Sequence, residues 1–158
     1  MIGIIDYGSG NIFSVSNALK KINVQNNIIK DPSQIKNFST IILPGVGNFK
    51  SCITKFKKKN FLECTLSHVL KKKKLIGICV GMQMLFEYSE ENGKTEGLSL
   101  LKGKVTLLKP NQNTSESFLS LPNMGWSTIK LKKNIKVNKF FQNINKLEQL
   151  QLARVGRR

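Results

Sequence analysis

The chain has one histidine, one tryptophan, four prolines and three cysteines among 158 residues, and each shortage removes a class of function. A lone His68 cannot build a histidine-rich metal centre. Cys52, Cys64 and Cys79 follow no zinc-ligand spacing, and an odd number of thiols argues against a disulfide framework. No stretch approaches the roughly 20 consecutive apolar residues that cross a bilayer. The opening MIGIIDYGSGN runs straight into apolar residues, without a basic segment or a small-residue cleavage site. It does not read as a signal peptide, and the expected compartment is the cytoplasm. These shortages leave no metal, no cofactor and no membrane in the expected chemistry.

Acidic residues are also scarce, nine against 26 basic ones, for a formal charge of +17. So basic a chain invites a nucleic-acid reading. The composition points elsewhere. The lysines come with abundant Asn and Ile and very little Ala, the mark of an AT-rich coding sequence. The runs Lys57 to Lys59 and Lys71 to Lys74 carry no aromatics interleaved at stacking spacing. They read as solvated faces or helix ends, and no specific nucleic-acid partner is expected. The bias stops at the end of the chain. All three arginines and one of only two alanines fall within LQLARVGRR, residues 150–158. The expected organisation is one domain over 1–148 and an atypical tail over 149–158. A shifted frame, an unusual splice or a vector sequence would produce such a tail, and a genuine basic tail is the alternative.

The first half of the chain alternates short apolar runs with helical spacing. Residues 2–6 and 25–30, Thr40 to Leu43 and Leu75 to Cys79 read as buried strands, the third stopped by Pro44. Between them, Ile12, Val15, Ala18, Leu19 and Ile22 recur at helical spacing. Asp31-Pro32-Ser33 opens a short helical turn, and helices are expected over 48–56, Phe61 to Leu70 and Gly81 to Glu87. This alternation indicates an α/β domain with a mainly parallel sheet and helices on both faces. From Gly97 the pattern changes. A Gly103 turn, a strand KVTLLK, a polar loop over 110–117 and a strand from Ser127 to Leu131 read as antiparallel additions.

Ligands of such sheets gather at the carboxyl ends of the strands, where YGSGN, PGVGN and Gly77–Gly81 fall. Gly77-Ile78-Cys79-Val80-Gly81 is a nucleophile elbow with cysteine at its centre. A tight strand-to-helix turn holds the nucleophile in a strained conformation, and only glycine permits the close approach of its flanks. The helix that follows favours thiolate, and the Val80 N–H can donate to an oxyanion. A buried core cysteine is the plainer alternative, but it leaves both glycines unexplained. Gly45-Val46-Gly47 can turn backbone N–H groups toward the same oxyanion, although PGVG alone could be a simple turn. Cys52 and Cys64 read as packing residues, and His68 as a surface or helix-face residue that does not reach Cys79.

LPGVGNF, GICVGMQMLFE, EGLSLLKGKV and PNMGW, in this order and spacing, resemble the class I glutamine amidotransferases, and within them the glutaminase subunits of imidazole glycerol phosphate synthase. The likeness runs from residue 1 to about 148. It implies a flavodoxin-like fold that hydrolyses glutamine to glutamate and ammonia. The ammonia would pass to a (β/α)8-barrel cyclase partner in histidine biosynthesis. It also implies roles: Cys79 as nucleophile, Val80 and Val46 as oxyanion N–H donors, and Gly45, Gly47, Gln83 and Glu91 around the glutamine. Asn11 and Trp126 would face the cyclase. The chain departs from the family in one respect. The FVHSY-like strand and the F-H-P-E motif, which supplies the catalytic His and Glu, are absent, so the domain is incomplete at its C-terminus. Little or no glutaminase activity is expected of the chain as written. Two alternatives stand beside the enzyme reading: a non-catalytic interaction module, and a paralogue that aminates sugars for surface polysaccharides.

Overall fold

A computed structural model describes residues 1–106 and two short strands, Trp126–Ser127 and Leu150–Gln151. The chain divides into two units, Met1–Thr106 and Leu107–Arg158.

The first unit is built on four parallel strands: β1 (Ile2–Ile5), β2 (Asn26–Ile29), β3 (Thr40–Gly45) and β4 (Lys74–Cys79), in the order β2-β1-β3-β4. Ile41, Ile42 and Leu43 are consecutive and all buried. Successive strand residues point to opposite faces, so both faces of β3 are covered, as a parallel sheet requires. Among the described residues β4 is an edge, and its side chains are half-buried or exposed along its whole length.

Local chemistry sets the helices. Asn11 caps α1 (Ile12–Lys21) by accepting the Ser14 N–H at 3.1 Å, and Lys20 and Lys21 sit where the helix dipole is negative. Asn48 caps α2 (Phe49–Lys58) in the same way, accepting from the Ser51 N–H at 2.7 Å. Phe49, Cys52, Ile53 and Phe56 form the buried stripe of α2. In α3 (Phe61–Leu70) the buried positions are Phe61, Thr65 and His68. Phe56 links these helices to the end of β1, edge-on to the Tyr7 ring at 5.5 Å and stacked on Phe61 at 5.8 Å.

Five sequence expectations are corrected. Pro44 does not stop β3, which runs on through Gly45. The pairing with β1 ends at Ile42, so Pro44 has a strand on one side only and its missing N–H is tolerated. The helix after the elbow, α4 (Val80–Gln83), makes one turn rather than reaching Glu87. The chain then enters β5 (Phe86–Ser89), which pairs with strands that follow it in the chain, and the carbonyls of Met84, Leu85 and Phe86 accept from the N–H groups of residues 98–101. The antiparallel partner of β5 is β6 (Thr95–Glu96), whereas β7 (Leu101–Val105) lies on its other side and runs parallel to it. Two reversals of direction, at 90–94 and after β6, restore the original sense. Gly103 is no turn. It lies inside β7, at φ 112°, where the register against β5 shifts. Finally, His68 is buried rather than on the surface.

In the second unit, β8 (Trp126–Ser127) and β9 (Leu150–Gln151) pair antiparallel. The expected polar loop at 110–117, the remainder of the 127–131 strand and the arginines of the tail lie outside the described residues.

Candidate active site at the cysteine elbow

The elbow stands where β3 and β4 end together. Gly45 and Cys79 are partners in the last register position of the pair, and α4 begins at the next residue, Val80. Cys79 has φ 55° and ψ −120°, a conformation that L-residues hold only under constraint, at about 1–3 kcal/mol. The three glycines around it supply that constraint by close contact. A Cβ on Gly77 would lie 2.5 Å from Met82 Cα, and one on Gly45 would lie 2.5 Å from the Gly81 nitrogen. A Cβ on Gly81 would run into the carbonyl oxygen of Leu43. Strand end, facing strand and helix start are thus packed backbone on backbone. The thiol of Cys79 is free and exposed, whereas Cys52 is buried and Cys64 half-buried, both in the packing roles their helical positions suggested. With only one helical turn behind it, the elbow has fewer aligned peptide dipoles than a long helix would supply.

The second wall is the loop Val46–Gly47 after β3. Gly47 has φ 100°, with nothing within 4 Å of a would-be Cβ, so glycine is needed there for its backbone and not for space. The Val46 side chain is 59% exposed. Its carbonyl accepts from Ser9 Oγ at 3.0 Å and from Cys52 Sγ at 3.3 Å. Glu91 reaches the start of α2, its Oε2 accepting the Phe49 N–H at 2.8 Å, two residues beyond Gly47. Gln83 is half-buried at the last position of α4. The structure therefore gathers Gly45, Val46, Gly47, Cys79, Val80, Gln83 and Glu91 within β3, β4, α4 and the loops that join or flank them. Asn11 is exposed at the cap of α1, and Trp126 lies in β8 of the second unit.

Three residues beside the site were not singled out for it. Ser9 and Cys52 bind the Val46 carbonyl, and Tyr7 is fully buried with its hydroxyl donating to Met84 Sδ at 3.8 Å. Burial, and then the nearby Cys52, push the Tyr7 phenol well above its ordinary range, so it stays protonated. Tyr7 and Ser9 lie in the YGSGN segment, but the roles of all three residues were not legible, because their partners are distant in the chain.

His68 is far from this chemistry. Its Nε2 meets the carbonyl of Lys74, the first residue of β4, at 3.1 Å. Cys79 is the last residue of that strand, five residues on, or roughly 16 Å at about 3.3 Å per residue. Burial lowers the His68 pKa, and the charge of Lys73 lowers it further, against the hydrogen bond to the Lys74 carbonyl. Among the described residues no cluster of three or more His, Cys, Asp or Glu could hold a metal ion, and no helix is long and apolar enough to cross a membrane.

Residues 3–152 match the family model of the class-I glutamine amidotransferases. The chain is 45% identical over 143 residues to the imidazole glycerol phosphate synthase subunit HisH of Caldanaerobacter subterraneus subsp. tengcongensis, covering 90% of this chain and 67% of that one. It is 43% identical to the subunit of the same name from Geobacillus sp. WCH70 and 42% identical to that from Bacillus subtilis 168, each over 129 residues and 82% of this chain. It spans 61% and 60% of the length of these two relatives. Among solved structures, a glutamine amidotransferase crystal structure superposes with a TM-score of 0.63 at 15% identity, covering 80% of this chain and 62% of the other, which speaks for the fold alone. With the elbow, the parallel sheet and these matches in agreement, the chain belongs to the class-I glutamine amidotransferase family.

Proposed function

We propose that the chain is the nucleophile-bearing part of a glutaminase subunit, one that releases ammonia from glutamine for a (β/α)8-barrel cyclase partner making imidazole glycerol phosphate in histidine biosynthesis, in the cytoplasm. The observation that carries this reading is Cys79 at φ 55° on the strand-to-helix turn, exposed and wedged between glycines. The names of the relatives, all subunits of imidazole glycerol phosphate synthase, support both the pathway and the existence of a partner. On this reading the Cys79 sulfur attacks the side-chain amide carbon of glutamine. The Val80 and Val46 N–H groups stabilise the oxyanion, while Gly45, Gly47, Gln83 and Glu91 surround the substrate. Collapse expels ammonia, which needs a proton, and leaves a thioester that water cleaves to glutamate and free Cys79. Phe13, 75% exposed beside Asn11, and the exposed Val46 offer apolar contact to the partner.

The proton transfers need a positioned acid/base, and His68 is buried and at the wrong end of β4. General acid–base catalysis contributes on the order of 10²–10⁴-fold, so the 158-residue chain with its cyclase turns glutamine over slower by at least that much than a homologue that carries the F-H-P-E motif. Steady-state glutamate release measures this. Turnover equal to such a homologue, abolished by Cys79→Ala and untouched by His68→Ala, would overturn the assignment of the missing base. The same placement of His68 favours one second reading, an interaction module that docks on the cyclase without catalysis. A cyclase complex that forms normally with Cys79→Ala, and shows no glutamate release with either chain, is the result it expects.

A further inference from the structure

We propose that the cleft between the short helical segment Pro32–Asn37 and α3 is a binding site for hydrogen phosphate, an anion that accepts hydrogen bonds from lysines and still has one proton to give; the glutaminase reading plays no part in it. The cleft has a volume of about 420 Å³ and lies beside the start of β4, not the end that carries Cys79. Its lining holds three lysines, Lys36, Lys71 and Lys73, against one carboxylate, Glu63. The single ion pair among the described residues is Lys104–Glu90, so no carboxylate neutralises these lysines. Lys73 Nζ is held in place, donating to the carbonyls of Lys36 at 2.8 Å and Phe38 at 2.9 Å, and an ammonium has a third N–H to give. Glu63 stands in the first turn of α3 and Lys71 at its C-cap, eight residues or about 12 Å apart along the axis, so the carboxylate is remote from the cationic end. A helix C-terminus ordinarily repels anions. Here the carbonyls of Ser67, His68 and Val69 already accept from the N–H groups of Lys71, Lys73 and Lys72, which leaves few free acceptors at that end.

The feature that selects the anion is His68, which forms part of the cleft wall and is 3% exposed. Its Nε2 lies 3.1 Å from the Lys74 carbonyl, which can only accept, so Nε2 carries the proton. Nδ1 is then a lone pair, buried and without a hydrogen-bond partner among the described residues. Burial lowers the ring's pKa from 6.5, so it stays neutral near neutral pH. The lysines recruit the oxygens of an anion, whereas Nδ1 requires a donor. Sulfate and ionised carboxylates have none, and hydrogen phosphate has its P–OH.

The test titrates the full chain with inorganic phosphate and with sulfate, at matched ionic strength near neutral pH. Because the chain has one histidine, the ring nitrogens of His68 give one unambiguous pair of NMR signals. Phosphate moves the Nδ1 signal to saturation, in the direction of an accepted hydrogen bond. Sulfate binds at least about tenfold more weakly and leaves that signal in place, since a buried acceptor denied its donor costs about that much. An Nδ1 signal that phosphate does not move, as when a buried water already serves the nitrogen, overturns the proposal, and so does equal binding of sulfate. Lys36→Gln with Lys71→Gln, both at exposed positions, weakens phosphate about fivefold. Lys20→Gln with Lys21→Gln removes the same charge from α1 and changes the affinity by less than about twofold. Equal losses in the two double variants would mean that the net charge of +17 alone attracts the anion, and would refute the site.

Discussion

Gly81→Ala is the sharpest perturbation of the elbow. The new Cβ would meet the carbonyl group of Leu43, with the carbonyl carbon at 2.8 Å, and the carbonyl carbon of Pro44 at 3.1 Å. Ordinary carbon contacts are about 3.5–4.0 Å, so the backbones must part by on the order of 1 Å. Neither atom belongs to a side chain that could rotate away. Leu43 and Pro44 are the paired partners of Gly77 and Ile78, and moving them opens the end of the β3–β4 ladder. Overpacking of this kind costs about 3 kcal/mol. Gly93→Ala is the matched control: φ is 74° there and nothing lies within 4 Å, so only the left-handed backbone is penalised, by about 1 kcal/mol. The difference, about 2 kcal/mol, corresponds to roughly 8–16 °C in midpoint for a unit of this size. Thermal unfolding followed by circular dichroism, with Cys79 labelling in parallel, measures both effects. Gly81→Ala should melt well below Gly93→Ala and lose its selective labelling. Equal melting of the two variants would refute the claim that backbone contact shapes the elbow.

Cys79 should be the first thiol alkylated by a limiting glutamine-analogue electrophile, since Cys52 is buried and Cys64 half-buried; mass mapping that finds either of those ahead of it would defeat the assignment. His68, whose pKa is lowered in the fold from its ordinary 6.5, gives a pH signature. Below 6.5 the unfolded chain takes up a proton that the folded chain refuses until its lower pKa is reached, so stability falls with falling pH in that window. Denaturant midpoints should show this slope, and His68→Gln should flatten it; an unchanged slope would mean that other groups carry it. The +17 charge should give nucleic-acid binding that collapses as salt rises, and sequence-selective binding that survives high salt would show a specific site instead.

The parts of this protein legible in the sequence were those with local causes. Apolar runs such as Ile2–Ile5 and Thr40 to Leu43 announce buried strands, because a strand covered on both faces needs no alternation. The spacing of Phe49, Cys52, Ile53 and Phe56 behind Asn48 announces α2, because cap and stripe lie within one helix. The elbow was legible for the same reason: Gly77, Cys79 and Gly81 are within five residues, and the steric demand on them is a property of one turn. What the sequence could not decide depended on partners far along the chain. α4 ends after Gln83 because the segment that would have continued it, Phe86–Ser89, pairs as a strand with residues 95–96 and 101–105. β7 is parallel to β5 because of where the chain returns after two reversals, and Gly103 becomes a bulge because the register there must slip by a residue. His68 is buried because Lys74 brings the start of β4 against α3. Ser9 and Val46, 37 residues apart, meet only because β1 and β3 are neighbours in the sheet, and a contact made by topology leaves no periodicity to read.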